Sequence, residues 1–364
     1  MKAIRVGVTG LNVADNPQPG LAVARCLLDA EPGARRVPIG FTYDLQWTAV
    51  HAREVFEAVH LVAPPWFDPA AFVHRLAAAC RAERVVALLP TLDADVATIA
   101  CHRLDLQRAG VRTFGPTPEM LARLWRLWRP GVLPRADVSI PGSAAAHTAA
   151  DVTAIAATFG YPVVLRSLSG ETTEVTTPLE AHVLGERFLR WWGAPLVVRP
   201  RLDGTDYQVA AVGYRGRVIA AVAAKVLTRG GNGSAWSVVT VGDNKFLAAA
   251  GAIIRKTGWT GPLLLEFVQE AWSKRIWLLG ASGAFPIWVG AARAAGHNLP
   301  GLVLRGALTG RLAGGHRLPP YASGVMLALT SRDEISDISV LAELGTIGRV
   351  NGSRAAVLKE AAIG

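Results

Sequence analysis

The most informative segment of the sequence is RIWLLGASGAFPIWVG, residues 275–290. Residues 276–279 form a short apolar run of the kind that packs inside a sheet. Residues 280–284 read GASGA and carry almost no side-chain chemistry, after which Phe285, Pro286 and Trp288 resume a distinctive pattern. The stretch therefore predicts a buried strand whose specific frame surrounds a centre of small residues.

The segments that precede this strand predict more sheet. GPLLLEFV, residues 261–268, is an apolar strand interrupted by one acid, Glu266. Residues 203–226 read as antiparallel strands joined by Gly-containing turns. A helix over about 245–256 separates the two segments. This half of the chain is expected to be α+β.

The first third of the chain has a different pattern. Residues 4–9 predict a buried strand, residues 10–20 a loop, and residues 21–29 a helix. Further strands alternate with helices at about 68–82 and 95–109, which predicts a parallel sheet. The loop lies where the carboxyl end of a strand meets a helix, so a ligand site and a plain connection are both open.

The composition is that of a chain with a large buried core. Of the 364 residues, 51% are apolar and 18% charged, which excludes a disordered chain and predicts two or three domains. The net charge of +10 comes from scattered basic residues, so nucleic-acid binding is not expected. With three unpatterned cysteines, no signal-peptide core and no long uncharged apolar segment, we expect a cytoplasmic protein without a membrane span.

The order of these signals resembles that of ATP-grasp proteins related to carbamoyl-phosphate synthase and biotin carboxylase. The resemblance implies an α/β fold, with a parallel-sheet pre-ATP-grasp domain ahead of a two-lobed, α+β ATP-grasp domain. The implied bounds are 1–115 for the first domain, 118–197 for the small lobe, 198–310 for the large lobe and 311–364 for a C-terminal appendage.

The resemblance also implies a nucleotide cleft between the lobes, lined by Arg166, Gly170, Arg199, Asp206 and Lys225. Arg166 ends the strand YPVVLRS above the phosphates, and Gly170 is the single glycine of the phosphate-covering loop. Arg199 lies in the segment that contacts adenine and ribose, Asp206 in the turn after it, and Lys225 on a strand facing the site. Each of three residues also has a purely structural alternative. Arg166 could be an ordinary cation at a strand end, Asp206 a turn residue, and Lys225 a surface lysine whose apolar stem packs along its strand.

The opening stretch matches the strand that carries metal ligands in the family. Glu266 takes the place of the first metal-binding acid, but Gly280 and Ser282 stand where the family has Glu and Asn. Magnesium prefers several oxygen ligands in octahedral geometry, so a vestigial magnesium site is expected. If the space is free, Gly280→Glu with Ser282→Asn should restore magnesium-dependent nucleotide affinity.

Two functions remain open at this point. The first is a catalytically impaired ATP-grasp protein without catalytic residues, in which ATP binding is weak or lost. It would bind a nucleotide, small molecule or peptide, or pair with an intact ATP-grasp subunit or with itself. The alternative is an active carboxylate–amine ligase working through an acylphosphate, with metal ligands supplied from elsewhere: by Glu270, by Asp243 or by a partner chain.

Overall fold

A computed structural model gives the structure of the chain. It describes residues 3–13, 17–28, 35–45, 49–52, 54–128, 138–167, 170–231, 233–314, 318–330 and 338–351. The described residues form three sheets with helices packed on them. None of the helices in these ranges has the length and apolar content needed to cross a bilayer.

The N-terminal sheet is built from alternating strands and helices. The elements are β1 (Ile4–Val8), α1 (Gly20–Leu28), β2 (Arg36–Thr42), β3 (Ala58–Leu61), α2 (Pro69–Ala82), β4 (Ala87–Leu89), α3 (Asp93–Cys101), α4 (Arg103–Arg108) and β5 (Arg112–Thr113). The strands lie in the order β3-β2-β1-β4-β5 and all pair in parallel. The parallel sheet is therefore confirmed, but the helix expected over about 95–109 is two helices, interrupted at His102.

Apolar side chains cover both faces of this sheet. Val6 and Val8 belong to one buried cluster, whereas Ile39 and Leu88 belong to another on the opposite face. Gly7 sits where a Cβ would come within 2.8 Å of Leu88 Cδ1, so the second face is closely packed. This double burial explains why the strands read as apolar runs without alternation.

The small lobe follows as an antiparallel sheet of four strands. It contains β7 (Ala144–Ala146), α6 (Ala149–Phe159), β8 (Val163–Arg166), β9 (Thr172–Val175), α7 (Pro178–Trp192) and β10 (Leu196–Pro200). The strand order is β7-β10-β8-β9. Thr148 and Thr177 cap the two helices by accepting hydrogen bonds from Asp151 N and Glu180 N, which fixes where each helix begins.

The large lobe is an antiparallel sheet, extended at one edge by a parallel strand. It contains β6 (Val138–Ser139), β11 (Gly204–Tyr214), β12 (Arg217–Arg229), β13 (Ala235–Val241), α8 (Asn244–Thr257), β14 (Gly261–Glu270), β15 (Ile276–Ser282), α9 (Val289–Ala294), α10 (Leu299–Thr309) and β16 (Met326–Ala328). The order is β16-β13-β12-β11-β14-β15-β6. The antiparallel pairing expected over residues 204–228 is confirmed.

Three connecting segments cross the expected domain bounds. Helix α5 (Pro118–Trp125) packs on α8 of the large lobe, and β6 pairs with β15 of the same lobe. After α11 (Ile338–Ile347), β17 (Arg349–Asn351) returns to the N-terminal sheet and pairs antiparallel with β3. The bounds at 115, 197 and 310 stay predictions, and the last described strand packs as part of the N-terminal sheet.

A buried carboxylate fastens β17 to that sheet. Glu83, 5% exposed, accepts hydrogen bonds from Arg349 Nε at 2.6 Å and Arg5 Nη2 at 2.8 Å, and its other neighbour is His60 Nε2 at 2.9 Å. Burial by itself would raise the pKa of Glu83, but the hydrogen bonds and charges of Arg349 and His60 outweigh burial and hold the pKa below its usual value. The carboxylate is therefore kept charged.

We expect Glu83→Gln to lower the free energy of unfolding by about 2 kcal/mol, because hydrogen bonds to a charged group are replaced by weaker neutral ones. Chemical denaturation at pH 7 measures the change. The control is Glu57→Gln, which removes an exposed carboxylate 2.7 Å from the same Arg5 and should change stability by less than about 1 kcal/mol. Equal losses for the two variants would contradict the role of Glu83.

Candidate functional site

The candidate site lies where the small-lobe sheet meets the large-lobe sheet. Arg166 ends β8, and Glu266 on β14 lies opposite Gly280 on β15 in the strand register. Arg166 Nη1 donates to Glu266 Oε2 at 2.7 Å, with the two side chains 24% and 19% exposed. This ion pair joins the two lobes across 100 residues of sequence.

The second oxygen of Glu266 is also engaged. Gln208 Nε2 donates to Glu266 Oε1 at 3.0 Å, and Trp288 Nε1 donates to Gln208 Oε1 at 2.5 Å. Trp288 is fully buried, so it fixes which way the Gln208 amide points. The tryptophan of the opening stretch thus contributes to positioning the carboxylate through Gln208.

The guanidinium of Arg166 fills the space beside Gly280. A Cβ built at residue 280 would lie 2.3 Å from Glu266 Oε2 and 2.7 Å from Arg166 Nη1. The backbone of Gly280 is outside the left-handed region, so the obstacle to a side chain there is contact and not backbone strain. The space that Gly280→Glu would need is therefore taken by the ion pair.

The charges at this point are strongly coupled. Burial by itself would raise the pKa of Glu266, but the Arg166 charge, followed by the charge of Arg229, outweighs burial and lowers the pKa to about 2. Burial, reinforced by the nearby charge of Arg166, lowers the pKa of Arg199 to about 10. At neutral pH Glu266 is an anion, and Arg166 and Arg199 remain cations.

Arg199 and Asp206 belong to the same electrostatic cluster. Arg199 lies on β10, and its Nε is buried with no hydrogen-bond partner among the described residues. Asp206 Oδ2 accepts from Arg229 Nε at 2.6 Å. The sequence analysis missed Arg229, which lies at the end of β12 in a stretch rich in small and polar residues.

Lys225 does not join this cluster. In the β11–β12 register it lies opposite Tyr207, whereas Gln208 lies opposite Glu266. Because side chains alternate between the faces of a strand, Lys225 is on the face opposite to Glu266. Tyr207 on that face stacks on Phe246 of α8 at 4.3 Å. The orientation towards the site that we expected for Lys225 is wrong for this register.

In its described part, the loop expected to cover phosphates is held by hydrogen bonds between its own residues. Ser167 Oγ accepts from Gly170 N and from Glu171 N, both at 3.1 Å, and its hydroxyl donates to Glu171 Oε2. Gly170 has φ +103°, which a side chain rarely adopts. Two backbone N–H groups that could face a phosphate therefore donate to a serine instead; residues 168 and 169 lie outside the described residues.

A second carboxylate approaches from the N-terminal domain. Asp93, at the start of α3, accepts from Ser282 Oγ at 2.8 Å and from Gly283 N at 2.9 Å. Burial raises the pKa of Asp93, while these two donors act to lower it. Sequence analysis missed this residue; the sequence LDADV at 92–96 places acids just after a strand, which was the available signal.

The acids proposed as substitute metal ligands lie elsewhere. Glu270 is four residues beyond Glu266 on β14, about 13 Å along the strand, and accepts from Ser273 Oγ. Asp243 caps α8 and pairs with Lys245 at 3.0 Å. Within the described ranges, no three His, Cys, Asp or Glu side chains are grouped so that they could hold a metal ion.

Comparison with known proteins adds information on the fold. No protein-family model matches the sequence, and no curated protein matches it. A solved biotin carboxylase from Campylobacter jejuni superposes with a TM-score of 0.62 and 12% identity, over 86% of this chain and 72% of that one. An ADP complex of the N5-carboxyaminoimidazole ribonucleotide synthetase PurK gives 0.61 and 13%, over 89% and 80%.

A third similar structure is an L-amino acid ligase from Bacillus licheniformis. Its TM-score is 0.59 and its identity 13%, over 85% of this chain and 75% of that one. Similarity at such low identity supports the fold alone. All three structures support the same fold for this chain. The chain therefore has the ATP-grasp fold, with a parallel α/β sheet ahead of two antiparallel sheets, as the sequence resemblance implied.

Proposed function

We propose that this protein is a catalytically impaired ATP-grasp protein that binds an anionic ligand, a nucleotide or a related small molecule, without magnesium. The observation that carries the proposal is the Arg166–Glu266 ion pair beside Gly280. The guanidinium supplies the positive charge that would otherwise come from a metal. In this proposal Glu266 is a vestigial metal ligand, and Gly280 and Ser282 mark lost ligand positions.

The residues present do not fit a magnesium ion. Magnesium is held by oxygen atoms at about 2.0–2.1 Å in octahedral geometry. One Glu266 oxygen accepts from Arg166 and the other from Gln208, while Gly280 has no side-chain oxygen. The Ser282 hydroxyl is committed to Asp93. No catalytic step through a metal is assigned to this site.

The remaining charges favour an anion. Arg166, Arg199 and Arg229 interact with one another and with two carboxylates, Glu266 and Asp206. Arg199 is the cation without a carboxylate at hydrogen-bond distance, and its buried Nε has no partner among the described residues. A guanidinium suits phosphate or carboxylate because its N–H groups can bind two oxygens at once. We assign phosphate recognition chiefly to Arg199, with Gly170 and Asp206 at the rim of the cleft.

A role as partner subunit is supported by an exposed apolar surface on α7. Leu179 and Val183 are 74% and 52% exposed, and Trp191 is 59% exposed near the other end of the helix. Leu179 and Val183 are one helical turn apart and so lie side by side, and contiguous exposed apolar patches are typical of protein interaction surfaces. The partner would be an intact ATP-grasp subunit or a second copy of this chain.

The three free cysteines support a cytoplasmic location.

Titration calorimetry with ATP, with magnesium and with EDTA, tests the proposal. We expect dissociation constants that agree within about twofold and that are weaker than micromolar, less favourable than about −8 kcal/mol. Arg199→Gln should weaken binding about tenfold, because one charge-assisted contact is lost. The control is Arg201→Gln. Arg201 is an exposed cation that pairs with Glu174 and Asp203.

An assay of ADP release with mixed amino acids separates the alternative. Magnesium-dependent ADP formation would favour the active carboxylate–amine ligase and contradict impairment. If ATP does not bind under either condition, nucleotide recognition is wrong. If Arg199→Gln and Arg201→Gln bind ATP equally, the assignment of Arg199 is wrong.

A further inference from the structure

A second concave surface lies apart from the cleft, at the junction of the N-terminal domain and the large lobe. This junction groove has a volume of about 880 Å³. Its walls are the β5 segment around residues 110–117, the β11–β12 turn at Tyr214–Arg215, and the C-terminal end of α10. Arg166, Arg199, Glu266 and Gly280 do not line it, so a ligand here would not occupy the candidate nucleotide site.

The charge of the junction groove is positive. Arg103, Arg112 and Arg215 line it, and none of its lining residues is acidic. Arg112 and Arg215 are exposed, whereas Arg103 is half-buried. Arg112 on the β5 segment, Arg215 in the β11–β12 turn and Arg103 on α4 have no acidic neighbour among the groove's lining residues. They create a positive potential, and a concave low-dielectric wall concentrates that potential. The groove should therefore attract anions.

Two buried polar atoms at the groove have no partner. Arg103 Nε and Thr113 Oγ1 are enclosed but make no hydrogen bond among the described residues. The Nη2 atom of Arg103 donates to two neutral carbonyls, Gly115 O at 2.9 Å and Pro116 O at 2.7 Å. Burial lowers the pKa of Arg103, and no acid offsets this effect. A buried donor without a partner is costly, but atoms enclosed in this way are out of reach of a ligand in the groove, so the exposed Arg112 and Arg215 are the groups available to an anion.

Tyr214 gives the groove an aromatic surface, and the buried Phe114 supports it from behind. The rings of Phe114 and Tyr214 lie 5.7 Å apart, and the guanidinium of Arg215 lies 5.3 Å from the Tyr214 ring. At Gly306 a Cβ would come within 2.6 Å of Phe114 Cδ2, so the absence of a side chain lets the ring lie directly on α10. Arg112 Nη1 donates to Leu308 O at 2.6 Å and fixes the opposite wall. The groove can thus hold an apolar body next to an anionic group.

We propose that the junction groove binds a small organic anion, a carboxylate or phosphate ester with an apolar or aromatic body. Arg112 and Arg215 contact the anionic group, and the Tyr214 ring, backed by the buried Phe114, packs on the apolar body. Because the walls come from two domains, the ligand stabilises their packing and acts as an effector rather than as the substrate of the cleft.

Calorimetric titration of the full chain with phenyl phosphate and with benzoate tests this site. Binding of at least one probe to the wild type is required, and the comparison of the two identifies the preferred anion. Arg112→Gln/Arg215→Gln should weaken binding about tenfold or more through loss of charge-assisted contacts. The control, Arg81→Gln/Arg217→Gln, removes two exposed arginines outside the groove and should change binding by less than about twofold.

The cleft variant Arg199→Gln separates this proposal from the proposed function. We expect it to leave phenyl phosphate binding unchanged while it weakens ATP binding. If Arg199→Gln removes probe binding and the groove variant does not, the probe occupies the cleft and the groove proposal is overturned. Equal weakening by the groove and control pairs, or no binding of either probe at 10 mM, would also overturn it. Circular dichroism of each variant verifies that it is folded.

Discussion

Arg166→Met is expected to lower the free energy of unfolding at pH 7 by about 3–5 kcal/mol, which is the usual cost of leaving one member of a buried ion pair uncompensated. The Glu266 carboxylate would lose its 2.7 Å partner while remaining 19% exposed and tied to Gln208. Chemical denaturation measures the loss. The double variant Arg166→Met/Glu266→Gln should recover most of it, because no uncompensated charge remains.

The pH dependence gives an independent check on the same pair. The folded pKa of Glu266 is about 2 against a usual value of 4.5, so the pair contributes stability above pH 4.5 that is lost as the pH falls towards 2. The difference corresponds to about 3 kcal/mol. In Arg166→Met the Glu266 carboxylate is buried without its cation. The difference between the free energies of unfolding of the variant and the wild type should therefore become smaller below pH 4.5.

The control for both measurements is Arg201→Gln. Its pairs with Glu174 and Asp203 are exposed, so we expect a loss below about 1 kcal/mol. A loss below about 1 kcal/mol for Arg166→Met as well would mean that solvent already screens the Arg166–Glu266 pair. In that case the fixed cation would not explain why the site lacks metal ligands.

The second large effect is expected from rebuilding a magnesium site. Magnesium should not change the melting temperature of the variant Gly280→Glu/Ser282→Asn, because Arg166 already supplies the cation beside Glu266. Adding Arg166→Ala would set two carboxylates against each other without a cation. Magnesium at 100 times its dissociation constant should then stabilise the triple variant by about 2.7 kcal/mol, a shift in melting temperature of roughly 5 °C.

Thermal melts in magnesium chloride and in sodium chloride of equal ionic strength decide this prediction. Arg166→Ala alone is the matched control, because it keeps Glu266 as the single carboxylate of the site and leaves Gly280 unchanged. If magnesium shifts the melting temperature of Gly280→Glu/Ser282→Asn with Arg166 in place, the guanidinium does not exclude the metal. If the folded triple variant ignores magnesium, the carboxylates at 266 and 280 do not form a metal site.

A binding protein whose cleft contains a fixed cation differs from a magnesium-dependent ligase in the source of the positive charge. Magnesium brings charge to a cleft only with its ligand, whereas Arg166 is present permanently and neutralises Glu266 whether or not a ligand is bound. In the proposed function, affinity for the anion would depend on the other guanidinium groups, chiefly Arg199. The proposed effector groove adds a separate point at which an anion would act on the same protein.

Most of the order of strands and helices, and the residues that surround the site, could be predicted from the amino-acid sequence. Local patterns were sufficient for this: apolar runs of strand length, glycine turns, and Glu266 on an otherwise apolar strand. The spacing of Phe285, Pro286 and Trp288 from that strand carried the resemblance that predicted the fold. These signals lie within short stretches, so they do not depend on how distant segments pack.

The contacts between side chains of distant segments could not be predicted from the sequence and follow from how the chain folds. Asp93 bonds to Ser282 across 189 residues, and Arg166 reaches Glu266 across 100, separations at which no local pattern carries information. Lys225 shows the same limit within one strand. Its segment, AAVAAKV, is apolar at nearly every position, so no alternation reveals which face is which. The pairing of Lys225 with Tyr207 settles the face, because the side-chain period of two makes orientation a consequence of register.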